Sequence, residues 1–148
     1  MAERYTLDTS ALIAYLADEP GADQVERLLA GAGRQRVALF ASFMTFMEAT
    51  YRVWQARGER AGKLAYLRLR SLPLVRIDVS EGLILRAARV KASYRLSVAD
   101  AWIAATALLT DSSLVHKDPE FRALADQVRL LELPMKPKRN GPRTSRRS

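Results

Sequence analysis

Short apolar runs alternate along the chain with longer segments whose apolar residues recur at helical spacing. The short runs predict five strands, at residues 4–7, 36–40, 74–77, 113–115 and 128–131. The longer segments predict six helices, at residues 10–17, 21–31, 42–57, 59–71, 80–93 and 97–110. This alternation predicts an α/β fold, with a mostly parallel central sheet of about five strands flanked by helices.

The third predicted helix shows the apolar period most clearly. Phe43, Phe46, Met47, Tyr51 and Trp54 fall on one of its faces. We expect this stripe to belong to the hydrophobic core. Any part of it that stays exposed would form a groove or a dimer surface, because monomers rarely expose large apolar patches.

The apolar pattern stops after Leu133, so we predict one domain over residues 1–133. The following segment, 134–148, contains six basic residues and no acid, together with Pro and Gly. A composition of this kind favours disorder. We therefore expect residues 134–148 to be a disordered basic tail.

Composition narrows the class of protein. With 148 residues and 49% apolar content, the chain is long enough for one domain with its own core. The absence of cysteine argues against a disulfide framework and against a Cys-based zinc site. The first residues lack the apolar core of a secretory signal, and the longest apolar stretch is far below the ~20 residues of a membrane span. We expect a cytoplasmic protein with no membrane association.

The net charge of +8 is unevenly distributed. Without the tail, 24 − 6 = 18 basic residues face 16 acids, a net charge of +2. The segment 52–95 nevertheless contains eleven Lys or Arg and only three acids. A polyanion is therefore a plausible partner, and nucleic acid is the commonest one.

Four acids, Asp8, Glu48, Asp100 and Asp118, each border an otherwise apolar stretch. A carboxylate among apolar side chains loses solvation, which is costly unless a cation compensates it. Four such acids predict a fold that gathers them around a hard divalent cation, with at least one raised carboxyl pKa when the cation is absent. Oxygen donors, no cysteine and a single histidine favour Mg²⁺ or Mn²⁺ over zinc.

Each acid also has a structural explanation as a helix cap. Asp8 precedes a predicted helix and Asp118 precedes a proline, as N-caps do. Glu48 and Asp100 each follow a Ser or Thr by three positions, as in a capping box. For Glu48 this box is weak, because the apolar period begins before Thr45 and places Glu48 inside the helix. Asp8 and Asp118 follow neighbouring predicted strands, where ligands of parallel sheets bind.

The chain resembles a PIN-domain nuclease. The resemblance rests on Asp8-Thr9-Ser10 after the first strand, on Glu48 within a helix, and on the segments SVADA at 97–101 and LVHKDPEF at 114–121. More narrowly, the chain is similar to the VapC-type ribonuclease toxins of bacterial and archaeal toxin–antitoxin pairs. The similarity covers about residues 4–132 and leaves out the basic tail.

The resemblance implies a single PIN-like domain that acts as a divalent-metal-dependent endoribonuclease toxin. RNA would be cleaved by water activated by Mg²⁺ or Mn²⁺. Asp8 and Asp100 would be the principal metal ligands, and Asp118 would complete the set directly or through water. Glu48 would bind a second ion or orient the water. The implied partners are the RNA substrate, a small antitoxin that covers the acidic site, often with an Arg, and a second copy in a homodimer.

Four neighbouring residues are candidates for supporting roles. Thr9 and Ser10 would contact the metal ligands, although we expect Ser10 chiefly to cap a helix. His116 stands where many relatives carry Thr or Ser, and Glu120 where they often carry Asp. His116 could bind a phosphate or a metal-bound water, or serve the structure alone.

Three other functions were weighed. A phosphohydrolase of the haloacid-dehalogenase type needs a second Asp two positions after Asp8, where this chain has Ser10. A non-catalytic RNA-binding module would use the basic surface but does not require four carboxylates in apolar settings. A stand-alone PIN nuclease without an antitoxin would have the same active site as a toxin.

Overall fold

A computed structural model describes residues 2–135, so most of the predicted tail lies outside the described residues. The strands are β1 (Glu3–Leu7), β2 (Val37–Ser42), β3 (Val75–Ile77), β4 (Ser113–His116) and β5 (Leu130–Glu132). The helices are α1 (Thr9–Leu16), α2 (Ala22–Gly33), α3 (Phe43–Arg57), α4 (Glu59–Ser71), α5 (Glu81–Ser93) and α6 (Val98–Leu109), with a 3₁₀ helix at Pro119–Leu124. Among residues 2–135, no helix has both the length and the hydrophobicity that crossing a membrane requires.

The five strands form one sheet in the order β3-β2-β1-β4-β5, and every neighbouring pair is parallel. The predicted α/β class and five-stranded sheet are thus confirmed. β1 lies at the centre, with β2 on one side and β4 on the other. Successive strands extend in opposite directions from β1, so the order reverses beside it. In parallel α/β sheets, ligands bind beyond the carboxyl ends of strands at such a point.

Helices cover both faces of the sheet, because side chains alternate between the faces along each strand. Val115 and Leu7 belong to a core cluster formed with α1, α2, α3 and α4. The neighbouring Leu114 belongs to a second cluster, formed with α5, α6 and the 3₁₀ helix. These clusters hold the sheet between two helical layers and so fix the position of its carboxyl edge.

The apolar stripe of α3 is only partly in the core, which corrects the expectation for this helix. Phe46 is buried and packs edge-to-face with Tyr66. Met47, Tyr51 and Trp54 are 52%, 39% and 42% exposed. The helix is rotated relative to the stripe, so that its buried side includes polar residues. The buried residues of α3 are Thr45, Phe46, Glu48 and Ala49.

Candidate functional site

The predicted acids meet at the carboxyl edge of the sheet. Asp8 directly follows β1, and Asp118 lies two residues after the neighbouring β4. The backbone of Asp8 continues the sheet pairing, since its N–H donates to the Val115 carbonyl at 3.0 Å. The side chains of these two acids therefore start from adjacent strands, at the point where the strand order reverses.

Asp8 is both a helix cap and a member of the acidic site. Its Oδ1 accepts a hydrogen bond from the Ala11 N–H at 2.8 Å, which caps α1. The residue is only 3% exposed. Burial raises the pKa of the Asp8 carboxyl to about 7; the hydrogen bonds from Ala11 and Ser10 oppose this shift, and the charges of Asp100 and Asp118 add to it. Capping and clustering are thus compatible functions of one carboxyl.

Asp100 is the third residue of α6, and its side chain is half-buried. The helix is capped by Ser97, whose Oγ accepts from the Asp100 N–H at 3.1 Å. Burial raises the pKa of the Asp100 carboxyl to about 6, and the charge of Asp118 is the next cause. A hydrogen bond with Ser97 lowers it, while Glu48 and Glu120 raise it further. The predicted raised carboxyl pKa is therefore present at two acids, with burial as the larger cause.

Three carboxylates lie close enough to share a cation. One oxygen each from Asp100, Asp118 and Glu120 lies within 4.8 Å of the others. Asp118 also caps the 3₁₀ helix, accepting from the Glu120 N–H at 2.9 Å, and this turn brings the Glu120 side chain back toward the cluster. Oxygens around one Ca²⁺ or Mg²⁺ are separated by up to roughly 4–5 Å. The oxygen-only donor set therefore fits a hard divalent cation better than zinc.

Glu48 reaches the site from the middle of α3, as its position in the apolar period predicts. Its residue is 8% exposed, and its Oε1 accepts a hydrogen bond from the Thr9 hydroxyl at 2.8 Å. The Arg52 guanidinium lies 3.7 Å from its other oxygen. A capping box with Thr45 is ruled out, because α3 begins at Phe43 and its N-cap is Ser42.

Ser10 does not cap α1, which corrects the role expected for it. Asp8 is the cap, and the Ser10 hydroxyl donates to the Asp8 carboxylate, with both oxygens at 2.8 Å. The same Oγ accepts from the Lys117 backbone N–H at 3.0 Å. Ser10 therefore links the carboxylate after β1 to the backbone after β4, a role that its helical position did not predict.

His116 is a core residue at the end of β4. It is 1% exposed and packs edge-to-face on Phe121 at a centroid distance of 5.4 Å. Within residues 2–135, neither ring nitrogen makes a hydrogen bond of good geometry. Burial lowers the pKa of His116, so the ring is neutral at pH 7. These surroundings favour the structural explanation that the sequence left open.

Sequence reasoning missed the contribution of Arg52. It lies one helical turn after Glu48 and places a cation beside that carboxylate. Acid and base four positions apart on a helix are a recognisable signal, so the contact was open to prediction. The link through the Lys117 backbone N–H had no such signal, because a main-chain donor carries no mark in the sequence.

An apolar groove of about 490 Å³ lies between α1, α3 and α4. Arginines line it together with the apolar side chains. Its lining includes Ile13, Leu16, Val53, Leu64, Arg52, Arg57 and Arg68. Arg52 also contacts Glu48, so one side chain borders both the groove and the acidic site.

Comparison with known families identifies one match. The family model described as PIN domain matches residues 5–127, most of the chain. No curated protein sequence matches the chain significantly.

Solved structures share this fold. A chain of VapBC2 from Rickettsia felis, bound to a promoter DNA fragment, has a TM-score of 0.72 and 17% identity, covering 88% of this chain and 99% of that one. DNA-bound VapBC from Salmonella typhimurium gives 0.71 and 19%, with coverages of 89% and 98%. VapC20 from Mycobacterium tuberculosis, a Sarcin-Ricin loop cleaving toxin, gives 0.62 and 20%, with coverages of 80% and 93%. At these identities the likeness establishes a common fold.

Proposed function

The chain belongs to the PIN-domain family, and from this premise we propose that it is a divalent-metal-dependent endoribonuclease, the toxin of a toxin–antitoxin pair. The observation that carries the proposal is the convergence of Asp100, Asp118 and Glu120 within 4.8 Å, beside the buried Asp8. Four acids from three separate parts of the chain meet at the sheet edge where ligands of such folds bind.

Asp8, Asp100 and Asp118 would hold Mg²⁺ or Mn²⁺, and the structure adds Glu120 to the candidates. A bound divalent cation supplies positive charge to the phosphate oxygens and lowers the pKa of water. Burial raises the pKa of Asp8 and of Asp100, so each carboxyl gains most from ionising when a cation is present.

Glu48 would orient the attacking water or contribute to a second cation position. The hydrogen bond from Thr9 and the charge of Arg52 fix one carboxylate oxygen each. A carboxylate held from two sides loses little entropy when it binds a water or a cation, which is the advantage of a preorganised site.

RNA is the proposed substrate because a basic surface adjoins the site. All eleven Lys and Arg of the segment 52–95 are exposed. Solvated helix surface is the competing explanation for each of them. If they contact phosphates, substrate affinity should fall steeply as salt rises.

A small antitoxin is the proposed protein partner, since the structural relatives from Rickettsia felis and Salmonella typhimurium are VapBC complexes. The groove between α1, α3 and α4 offers an apolar surface for it, with Arg57 and Arg68 suited to acidic side chains. An antitoxin arginine that reached the carboxylates would neutralise them and exclude the cation.

We also propose that the protein forms a homodimer in the cytoplasm, where RNA is available. Apolar side chains exposed outside the groove support self-association. Among them are Leu85, at 71% exposure, and Ile84, both on α5. The oligomeric state can be measured by light scattering coupled to size-exclusion chromatography, and Leu85→Glu should shift a dimer on α5 toward the monomer.

The proposed activity is tested by incubating a mixed cellular RNA pool with the purified protein in Mg²⁺, in EDTA, and in EDTA followed by excess Mg²⁺. Cleavage that stops with EDTA and returns with Mg²⁺ would establish the nuclease. A stand-alone PIN nuclease has the same chemistry, so growth after induced expression must separate the two: arrest by the wild type but not by Asp100→Asn identifies a toxin. RNA binding without cleavage would favour the non-catalytic module.

A further inference from the structure

The described chain leaves the fold at the rim of the acidic site. Met135, the last described residue, lines a recess of about 300 Å³ with Ser10, Arg52 and Lys117. Ser10 contacts the Asp8 carboxylate, and Arg52 lies 3.7 Å from Glu48. The residues that follow Met135 therefore begin beside two of the candidate catalytic acids.

This exit point is fixed by the core. Leu133 is 2% exposed, and its N–H donates to the His116 carbonyl at 2.7 Å. Its side chain also packs closely against Gly21, where an added Cβ would lie 3.1 Å from the Leu133 Cβ. Only two residues separate the start of the basic segment from this anchor, so the segment cannot begin anywhere else on the surface.

Residues 136–148 carry most of the protein's net charge. They contain six Lys or Arg and no acid, while the remainder of the chain has a net charge of +2. Thirteen residues span at most roughly 43–47 Å when extended. Their cations can therefore reach the carboxylate cluster and any strand of nucleic acid that passes over it.

The acidic cluster by itself repels a phosphate backbone, and the nearby cations already have partners. Lys117 donates its Nζ to the Pro20 carbonyl at 2.8 Å, and Arg52 faces Glu48. A substrate phosphate entering this edge needs additional positive charge close by. The segment that starts at Met135 supplies it at the required place.

We propose that residues 136–148 bind the phosphate backbone of RNA next to the carboxylate site, as a substrate-holding segment of the same chain; this rests on the proposed nuclease function. RNA is favoured over the carboxylates as the segment's partner. A cation held by Asp100 and Asp118 offsets their charge, whereas each phosphate of RNA keeps a full negative charge that Lys and Arg can neutralise with release of counterions.

The test compares two full-length triple variants with the same change in net charge. The first is Lys136→Gln, Lys138→Gln, Arg139→Gln. The control is Arg34→Gln, Arg36→Gln, Arg129→Gln, three exposed positions that precede β2 and β5 and so lie at the opposite, amino edge of the sheet. For each protein, KM and kcat are measured with a fluorescein-labelled single-stranded RNA in Mg²⁺ at several salt concentrations.

The proposal predicts that KM rises about tenfold in the first variant with kcat unchanged, and that the slope of log KM against log salt falls by about 2, as expected for three lost phosphate contacts on a single strand. The control should keep the wild-type KM and slope. An equal loss in both variants would show a general charge effect and overturn the proposal. Lower KM and a larger Mg²⁺-induced rise in melting temperature in the first variant would show that the segment covers the carboxylates instead, which also overturns it.

The two levels of the argument fail differently. Metal-dependent cleavage by the wild type with an unchanged KM in the first variant would refute the role of residues 136–148 alone. Absence of any cleavage by the folded wild type in Mg²⁺ would refute the nuclease function, and the substrate-holding role with it.

Discussion

The Thr9 hydroxyl donates a 2.8 Å hydrogen bond to the Glu48 carboxylate, joining the first turn of α1 to the middle of α3. Both residues are buried, and Thr9 also lies 3.4 Å from the Thr45 hydroxyl. This bond sets the orientation of one candidate catalytic acid relative to another, because Thr9 directly follows Asp8. The hydroxyl is therefore expected to matter for activity more than for folding.

Thr9→Val should lower the cleavage rate roughly tenfold while Thr9→Ser keeps it near the wild-type value. Valine has the shape of threonine without the donor, and a lost hydrogen bond to a charged group costs about 1.5 kcal/mol. Initial rates in saturating Mg²⁺, with melting temperatures for all three proteins, measure the effect. Full activity of Thr9→Val would show that the orientation of Glu48 is irrelevant.

The metal-free protein should lose stability as pH rises, because of Asp8. Its pKa is raised to about 7 in the folded state from an ordinary value of 3.8. The folded state thus binds the proton more tightly, so the contribution is fully present below pH 4 and is lost as pH rises through 7. Asp8→Asn should then exceed the wild type by on the order of 3 kcal/mol at pH 8 and match it near pH 4.

This pH effect is measured by urea unfolding in EDTA at pH 4.5, 6 and 8. Glu26→Gln, an exposed position on α2, is the control and should follow the wild type at each pH. A constant difference between Asp8→Asn and the wild type across this range would contradict the raised pKa.

Mg²⁺ should raise the melting temperature of the wild type. A cation at one hundred times its Kd stabilises the folded state by about 2.7 kcal/mol, or roughly 5–10 °C for a domain of this size. The shift should be much smaller in Asp100→Asn, since Asp100 belongs to the cluster of three carboxylates. An equal shift in both proteins, followed by thermal denaturation with Mg²⁺ and with EDTA, would place the binding elsewhere.

Gly62 is expected to be essential to the packing of α4 on α3. A Cβ at this position would lie 2.7 Å from the Trp54 Cβ and 3.1 Å from the Thr50 carbonyl. Gly62→Ala should therefore lower the free energy of unfolding by about 1–3 kcal/mol. Gly33→Ala is the matched control, because nothing lies within 4 Å of its Cβ and alanine favours the helix. Similar unfolding midpoints for the two variants would contradict the close approach.

The sequence was sufficient to predict the sheet and the acids at its edge. Asp8 and Asp118 follow strands, and parallel strands bring their carboxyl ends together whatever the details of packing. The position of Glu48 inside α3 followed from the apolar period. The cluster of Asp100 with Glu120 depends on how the 3₁₀ helix turns after Asp118, which the residue pattern does not specify.

The rotation of α3 could not be predicted from its apolar residues. Met47, Tyr51 and Trp54 share a face with Phe46, yet only Phe46 is buried. The buried side is decided by the tertiary partners of the helix, and here these include the polar site residues Thr9 and Glu48. A periodic pattern gives the width of an apolar face but does not decide which part of it contacts the sheet.

The central claim is tested most directly by the rate of RNA cleavage in Mg²⁺ for the wild type, Asp100→Asn and the control Glu26→Gln, all confirmed as folded. Asn keeps the shape of Asp but removes the charge that binds a cation, so we predict that Asp100→Asn loses at least about a hundredfold in rate, of the order expected for a principal electrostatic contact. Glu26→Gln should cleave as fast as the wild type. Equal cleavage by Asp100→Asn and the wild type would contradict a nuclease site built on these carboxylates.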